Sequence, residues 1–166
     1  MKAVKKTIII SVLMIVAVIL LAPTIYRAII FQPEKDDVVY RYGIVENRDK
    51  LEAFRQSAAK GKEEYIRVVM YYEKTSDTYD DRQEQPEGHV IYDIESKYDE
   101  KVKQGWLEVK PTLSFRHSED KYKVSAIKTA QQCGSIVKDE KHGMYVLQEC
   151  HDAYNYTLVP LMNGIE

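Results

Sequence analysis

From Thr7 to Tyr26 the chain runs for twenty residues without a charged side chain, and no other feature constrains the molecule as much. Wound as a helix rising ~1.5 Å per residue, that run would span ~30 Å, the hydrocarbon thickness of a bilayer. Thr7 and Ser11 can bond back to helix carbonyls, and Pro23 lies near the far end, so neither opposes a membrane helix. Lys2, Lys5 and Lys6 precede the run; Arg27 alone follows it before a second apolar stretch, Ala28 to Phe31. The positive-inside bias then expects a cytoplasmic N-terminus and an extracytoplasmic remainder. A cleaved signal peptide would need small residues at −3 and −1, but the best position, after Ala22, has Leu20 at −3 and Pro23 next. A lipoprotein would need a cysteine at the end of the run, where this sequence has none. The expectation is an uncleaved signal anchor, a single pass of the cell membrane. A buried core helix would be too long and too apolar for so polar a partner domain.

Charge supports this division. The 166 residues carry 24 Lys+Arg against 26 Asp+Glu, a net −2. That near-zero is a cancellation: the first 35 residues hold five Lys/Arg and one Glu (+4), and the remaining 131 hold 19 and 25 (−6). An acidic body argues against nucleic-acid binding, which needs a basic footprint. It also disfavours electrostatic docking on anionic lipid, so tethering falls to the anchor. With 30% charged and 45% hydrophobic residues, the chain is neither collagenous, nor a disordered tail, nor a disulfide-dense mini-protein.

The expected organisation is a basic cytoplasmic end (1–6), the anchor (7–26) and a juxtamembrane linker (27–37) in which Pro33 breaks any continuing helix. An extracytoplasmic domain (38–150) and a tail (151–166) follow. The domain opens with an extended stretch, Val38 to Val45. Asn47 is a plausible N-cap for a helix to about Lys60, with Leu51, Phe54 and Ala58 on one face and Gly61 as its stop. Tyr65 to Glu73 alternates as a half-buried strand should. Lys74 to Gly88 is polar and reads as an exposed connection. Further strands are expected at His89–Glu95, Trp106–Lys110, Leu113–Arg116, Lys121–Ile127, Gln131–Lys138 and Met144–Cys150. One helix followed by a run of neighbouring strands predicts an α+β domain: one helix packed on a mostly antiparallel sheet, behind the N-terminal transmembrane helix.

Cys133 and Cys150 are the only cysteines. If the last two strands are joined by a four-residue loop, Glu140 to Gly143, cross-strand partners have numbers summing to 283, which pairs Cys133 with Cys150. Opposed residues on antiparallel strands have Cα atoms ~4.5–5.5 Å apart, within disulfide reach. The hairpin rule and the disulfide geometry are independent, so a structural disulfide is expected in an oxidising compartment. A redox pair would want Cys-x-x-Cys. A zinc site from Cys133, His142, Cys150 and His151 has suitable residue types but no familiar spacing.

Catalytic motifs are sparse. Ser-x-x-Lys occurs at Ser57–Lys60, Ser118–Lys121, Ser125–Lys128 and Ser135–Lys138, yet Ser-Asp-Asn and Lys-Thr-Gly are missing, and a Lys-rich chain yields such matches by chance. There is no Gly-x-Ser-x-Gly, P-loop, Gly-x-Gly-x-x-Gly, His-Glu-x-x-His or EF-hand loop. Asp77, Asp80 and Asp81, like Glu119 and Asp120, read as solvated turns, with weak calcium contact the sharper alternative for the first group. His89, His117, His142 and His151 are scattered. No catalytic residue, cofactor or metal is expected. Tyr65, Tyr71, Tyr72, Tyr92, Tyr122 and Tyr145 are spread over the expected strands, and tyrosine is favoured at recognition surfaces. Tyr65, Tyr71, Tyr92 and Tyr122 are the candidate binding face, on a sheet surface that a single helix leaves open.

Several segments carry a family likeness: Tyr42-Gly43-Ile44-Val45-Glu46-Asn47, Leu51 and Phe54, Gly61-Lys62, and Ile66-Arg67-Val68-Val69. Glu87-Gly88-His89-Val90-Ile91-Tyr92-Asp93-Ile94 and Cys133 with Tyr145-Val146-Leu147-Gln148-Glu149-Cys150 continue it. In this order, over about Val38 to Cys150, the chain resembles a domain-of-unknown-function family of small envelope proteins, often lipoproteins, of Gram-positive spore-forming bacteria. It departs in replacing the lipid-bearing cysteine with an apolar run and in extending past the last cysteine. The resemblance implies an envelope location and transfers no activity. The expected function is a non-enzymatic, membrane-anchored extracytoplasmic module that binds a protein or envelope component. The alternatives are a small hydrolase-type envelope enzyme, or a structural or assembly protein of envelope or spore.

Overall fold

The computed structural model describes residues 31–72, 88–115 and 126–163. The chain divides into two compact units, 1–34 and 35–166, and all regular structure among the described residues lies in the second.

That unit begins with a hairpin, β1 (Val38–Arg41) and β2 (Ile44–Glu46), paired antiparallel with Arg41 opposite Ile44. Tyr42 and Gly43 form the two-residue turn, both with positive φ (52° and 76°). This is the left-handed pair that matches the twist of the flanking strands. The sequence reading took Val38 to Val45 as one extended stretch, because Tyr42 stands where a turn of this kind usually has Asn or Asp. Helix α1 (Arg48–Ala58) follows. Asn47 does precede it, but in the left-handed region (φ 54°) and without a side-chain capping bond. Its amide donates instead to the Lys35 and Asp37 carbonyls, at 3.0 and 2.7 Å, pinning the segment that enters β1. Gly61 ends the turn after α1 at φ 74°, and the Lys62 N–H returns to the Ser57 carbonyl at 3.1 Å. The close here is a left-handed glycine, as expected.

Three long strands carry the main sheet. β3 (Tyr65–Tyr72), β4 (Gly88–Asp99) and β5 (Gln104–Phe115) pair antiparallel in order. β5 unites two strands that the sequence reading kept separate, Trp106–Lys110 and Leu113–Arg116. Among the described residues β6 (Gln131–Cys133) pairs only with Leu107 to Val109. Among the described residues no strand pairs with Pro111 on that side, and there its missing N–H costs no ladder bond. β1 lies parallel to β3, and the sheet order is β2-β1-β3-β4-β5-β6.

A second, three-stranded antiparallel sheet holds β7 (Ser135–Asp139), β8 (Met144–Gln148) and β9 (Tyr156–Pro160). β9 falls in the stretch read as a tail, yet Tyr156, Leu158 and Val159 belong to the core. The α1 stripe (Leu51, Phe54), the inward residues of the large sheet (Val68, Tyr92, Ile94, Val109) and those of the small sheet (Ile136, Tyr145, Leu147) form one buried cluster. Each such side chain contributes ~1.5–3 kcal/mol on burial.

These findings overturn the α+β expectation. Strands make up 53% and helix 10% of the described residues, so the fold is mostly β, with one short helix. The physical reason is that α1 serves only as the crossover between the parallel strands β1 and β3, while the second sheet, not further helix, covers the rest of the core. No helix among the described residues is long and apolar enough to cross a membrane. The expected anchor, 7–26, lies outside the described residues.

The expected register holds. Asp139 pairs with Met144 and Val137 with Val146, and Cys133 is disulfide-bonded to Cys150. The cysteines do not sit inside that ladder, however. Cys133 ends β6 in the large sheet and Cys150 follows β8 in the small one. Between them the chain passes Gly134, whose N–H donates to the Gln148 carbonyl, while the His151 N–H donates to that of Gln132, both at 2.9 Å. The disulfide is thus a rivet at the corner where one strand leaves the first sheet for the second.

Candidate functional site: a tyrosine-lined cleft

The four tyrosines chosen from the sequence do not share a face. Strand alternation and the pairings Tyr65–Glu95 and Tyr71–His89 put Tyr65 and Tyr71 on the outer side of the large sheet, away from α1. Tyr92, opposite Val68, points the other way. It is fully buried and its hydroxyl accepts the Ile127 N–H at 3.0 Å. Tyr122 lies outside the described residues, as do Asp77, Asp80, Asp81, His117, Glu119 and Asp120. Tyr145 is buried, with its hydroxyl donating to Glu52 Oε2 at 3.1 Å. It is a core residue.

The outer face is largely occupied by its own interactions. Tyr65 donates to the Asp93 carboxylate, which also accepts from Arg67 Nε at 2.8 Å. Burial and that hydrogen bond push the Tyr65 phenol up to about 12. Glu95 pairs with Lys97 (2.9 Å) and Lys110 (3.6 Å). In the middle of this face Val39, Val69 and Ile91 are buried, so it is not the open surface expected.

Within the second unit the same strands frame a concave site. The β1–β2 turn, the ends of β1 and β3, and the small sheet enclose a cleft of about 350 Å³. Tyr40, Met70 and Tyr72 line it from the inner side of the large sheet, Tyr42 and Gly43 from the turn, and Met144, Thr157 and Leu158 from the small sheet. Tyr71 also borders it, although strand alternation turns its side chain to the outer face, where its ring lies beneath the Arg41 guanidinium at 3.7 Å and 5.7 Å from the His89 ring. Tyr72 is held edge-on against Phe115 at 5.9 Å, and burial raises its phenol pKa. Burial likewise lowers the His89 pKa. The Tyr71 hydroxyl is buried without a hydrogen-bond partner. An unpaired buried polar atom costs ~1–3 kcal/mol; Arg48 Nε and Trp106 Nε1 share that condition. Tyr42 is 75% exposed at its mouth.

A smaller cavity of about 210 Å³ lies between the end of α1, Gly105 to Leu107 and the corner at Gly134 to Ile136. Among its polar side chains, Arg55 is committed to Glu52 at 2.7 Å. Its walls combine the small residues Ala58, Ala59, Gly105 and Gly134 with Phe54, Trp106 and Ser135, and the Trp106 Nε1 is buried without a hydrogen-bond partner.

The sulfurs of Cys133 and Cys150 are bonded to each other, so neither can ligate zinc with His142 and His151. Among the described residues no group of three His, Cys, Asp or Glu side chains could hold a metal. His142 instead contacts Asp139 Oδ2 at 2.6 Å on the β7–β8 loop. Ser57–Lys60 ends α1 and Ser135–Lys138 lies in β7; the other two Ser-x-x-Lys pairs begin outside the described residues.

No protein-family model, no curated protein and no solved structure matches this chain. Of the tyrosines bordering the cleft, the candidate face read from the sequence included Tyr71 alone and left out Tyr40, Tyr42 and Tyr72. The spacing Tyr40-x-Tyr42-Gly43 was the available signal: a left-handed turn at 42–43 puts both rings at one hairpin tip.

Proposed function

We propose that the protein is a non-catalytic binding module, tethered to the cell membrane through the uncharged run 7–26 and facing outward, with the tyrosine-lined cleft as its binding site. The carrying observation is the cleft itself: Tyr40, Tyr42 and Tyr72 line one concavity together with Met70 and Met144. Among the described residues its lining includes no carboxylate, histidine, lysine, serine or cysteine to serve as acid, base or nucleophile. Aromatic side chains give large contact area at low entropic cost, which suits recognition. The disulfide supports an oxidising location. The placement in a bacterial envelope rests on the family resemblance and the charge asymmetry of the sequence.

The test is site-directed photocross-linking in intact membranes. A photoreactive residue replacing Tyr42 should give one dominant adduct, diminished by Tyr72→Ala in the cleft and unaffected by Tyr65→Ala on the outer face. Turnover of an envelope substrate, abolished by changing a single carboxylate or histidine, would overturn the non-catalytic reading. Location is checked separately: a membrane-impermeant thiol reagent should label Cys133 and Cys150 in intact cells only after reduction.

A further inference from the structure

We infer that the cleft takes a short, uncharged, extended peptide segment, which adds to the small sheet as a strand along the free edge of β9; this deepens the binding role proposed above and rests on it. Among the described residues β9 has β8 on one side and no strand on the other. The ladder tells which backbone groups face the open side, because alternate residues of an antiparallel strand turn their N–H and C=O to opposite neighbours. The Gly143 carbonyl accepts from Leu161, on the β9 side of β8, and the Gln148 carbonyl accepts from Gly134, on the β7 side. Both bonds give the same phase: Gly143, Tyr145 and Leu147 face β9. Tyr156, opposite Leu147, therefore bonds to β8, and Thr157 turns its N–H and C=O to the free edge. Pro160, opposite Met144, also faces outward, where its lack of an N–H takes nothing from β8.

That edge opens into the cleft. Thr157 and Leu158 both line it, and consecutive strand residues point to opposite faces, so a cavity touching both meets the strand at its edge. Thr157 is exposed there. A ligand residue opposite Thr157 accepts from its N–H and donates to its C=O. The ligand residues on either side then point to the face that Tyr156 and Leu158 share. On that side Tyr40, Met70 and Tyr72 form the facing wall, and among the described residues no lining side chain is charged. The fitting pattern is apolar, any residue, apolar. The register shift between Met144 and Val146, together with Pro160, ends the usable edge after one full pair, so the segment is short. The β9 of a second copy does not fit, because the residues flanking its Thr157, Tyr156 and Leu158, are buried in its own core at 9% and 2% exposure. A helix or a glycan has no free strand backbone to meet the edge.

The experiment uses the full chain in detergent micelles with threonine-selective isotope labelling, titrated with acetyl-Ser-Leu-Thr-Leu-Ser-amide. The expected result is a saturable shift of the Thr157 amide and about tenfold slower hydrogen exchange there, with Thr112, on the outer face of β5, unmoved. The same peptide with proline at its centre lacks the N–H that meets the Thr157 carbonyl, and should bind about tenfold more weakly, the worth of one hydrogen bond. Thr157→Pro removes the N–H on the protein side and should weaken binding similarly, while Thr157→Val keeps it and should not; the proline peptide makes the same test on the unaltered chain. A Thr157 amide already protected in the free chain overturns the inference, as does equal binding of the two peptides. A Tyr42 cross-link that the leucine peptide does not displace overturns the strand occupant while leaving the cleft as the binding site. A chain that gives no Tyr42 cross-link at all loses that site as well.

Discussion

Reducing the Cys133–Cys150 bond, or replacing both residues by serine, should cost more than the loss of one contact. The closed loop has a sequence separation of 17. The chain-entropy relation gives about 3 kcal/mol at 25 °C for a loop of that length, released into the unfolded ensemble when the bond opens. The folded unit spans about 130 residues, so its unfolding entropy near 60 °C is about 270 cal/mol/K, and 3 kcal/mol corresponds to a fall in Tm of about 10 °C. Differential scanning calorimetry of the full chain with and without reductant measures that fall, with thiol titration confirming that both sulfurs are free. Because the constraint acts on the unfolded chain, the urea m-value should rise slightly at the same time. The position of the bond adds a local signature: the Gly134 and His151 N–H groups bracket it, each bonded across the sheet corner, and their hydrogen exchange should accelerate more than that of the β4–β5 ladder. A Tm drop below about 3 °C in fully reduced protein would refute the reasoning, because the backbone bonds at the corner would then suffice to hold the two sheets together.

Three further outcomes follow from the packing. Glu52 joins α1 to the small sheet through Arg55, Gln56, Lys138 and Tyr145, and the Arg55 hydrogen bond above all holds its carboxyl well below the usual range. A depressed folded pKa stabilises above the unfolded value of about 4.5 and is lost as pH falls below it. Glu52→Gln should therefore cost about 1–2 kcal/mol at pH 7 and little near pH 2, read from urea midpoints at the two pH values. Gly61→Ala places a methyl in a φ of 74° and within 2.8 Å of the Tyr98 ring; it should destabilise by about 2 kcal/mol in thermal melts. Tyr92→Phe strands the buried Ile127 N–H and should cost about 1–2 kcal/mol with the fold's circular dichroism unchanged.

Legibility in the sequence followed the range of the forces involved. The α1 boundaries, the β3 alternation, the glycine stop at Gly61 and the 283 register were all readable, because each depends on residues a few positions apart. The joined strand β5 was not, since Pro111 is acceptable only where β6 fails to reach. β9 was missed because Tyr156, Leu158 and Val159 signal burial only when β8 lies beside them. Tyr92 was taken for surface: its hydroxyl suggested solvent, whereas the structure satisfies it with a backbone amide 35 residues away.

The sequence by itself determined the apolar head, the acidic body, the disulfide partners and the hairpin register around them. Those follow from hydropathy, charge and period-two geometry, which act locally along the chain. The tertiary structure alone decided that the domain is mostly β with two sheets, that the disulfide fastens one sheet to the other, and that Tyr40, Tyr42 and Tyr72 meet in one cleft. Which face of a strand is buried, and which rings converge, depends on what packs across the core from it. That partner is distant in sequence, and no local pattern encodes it.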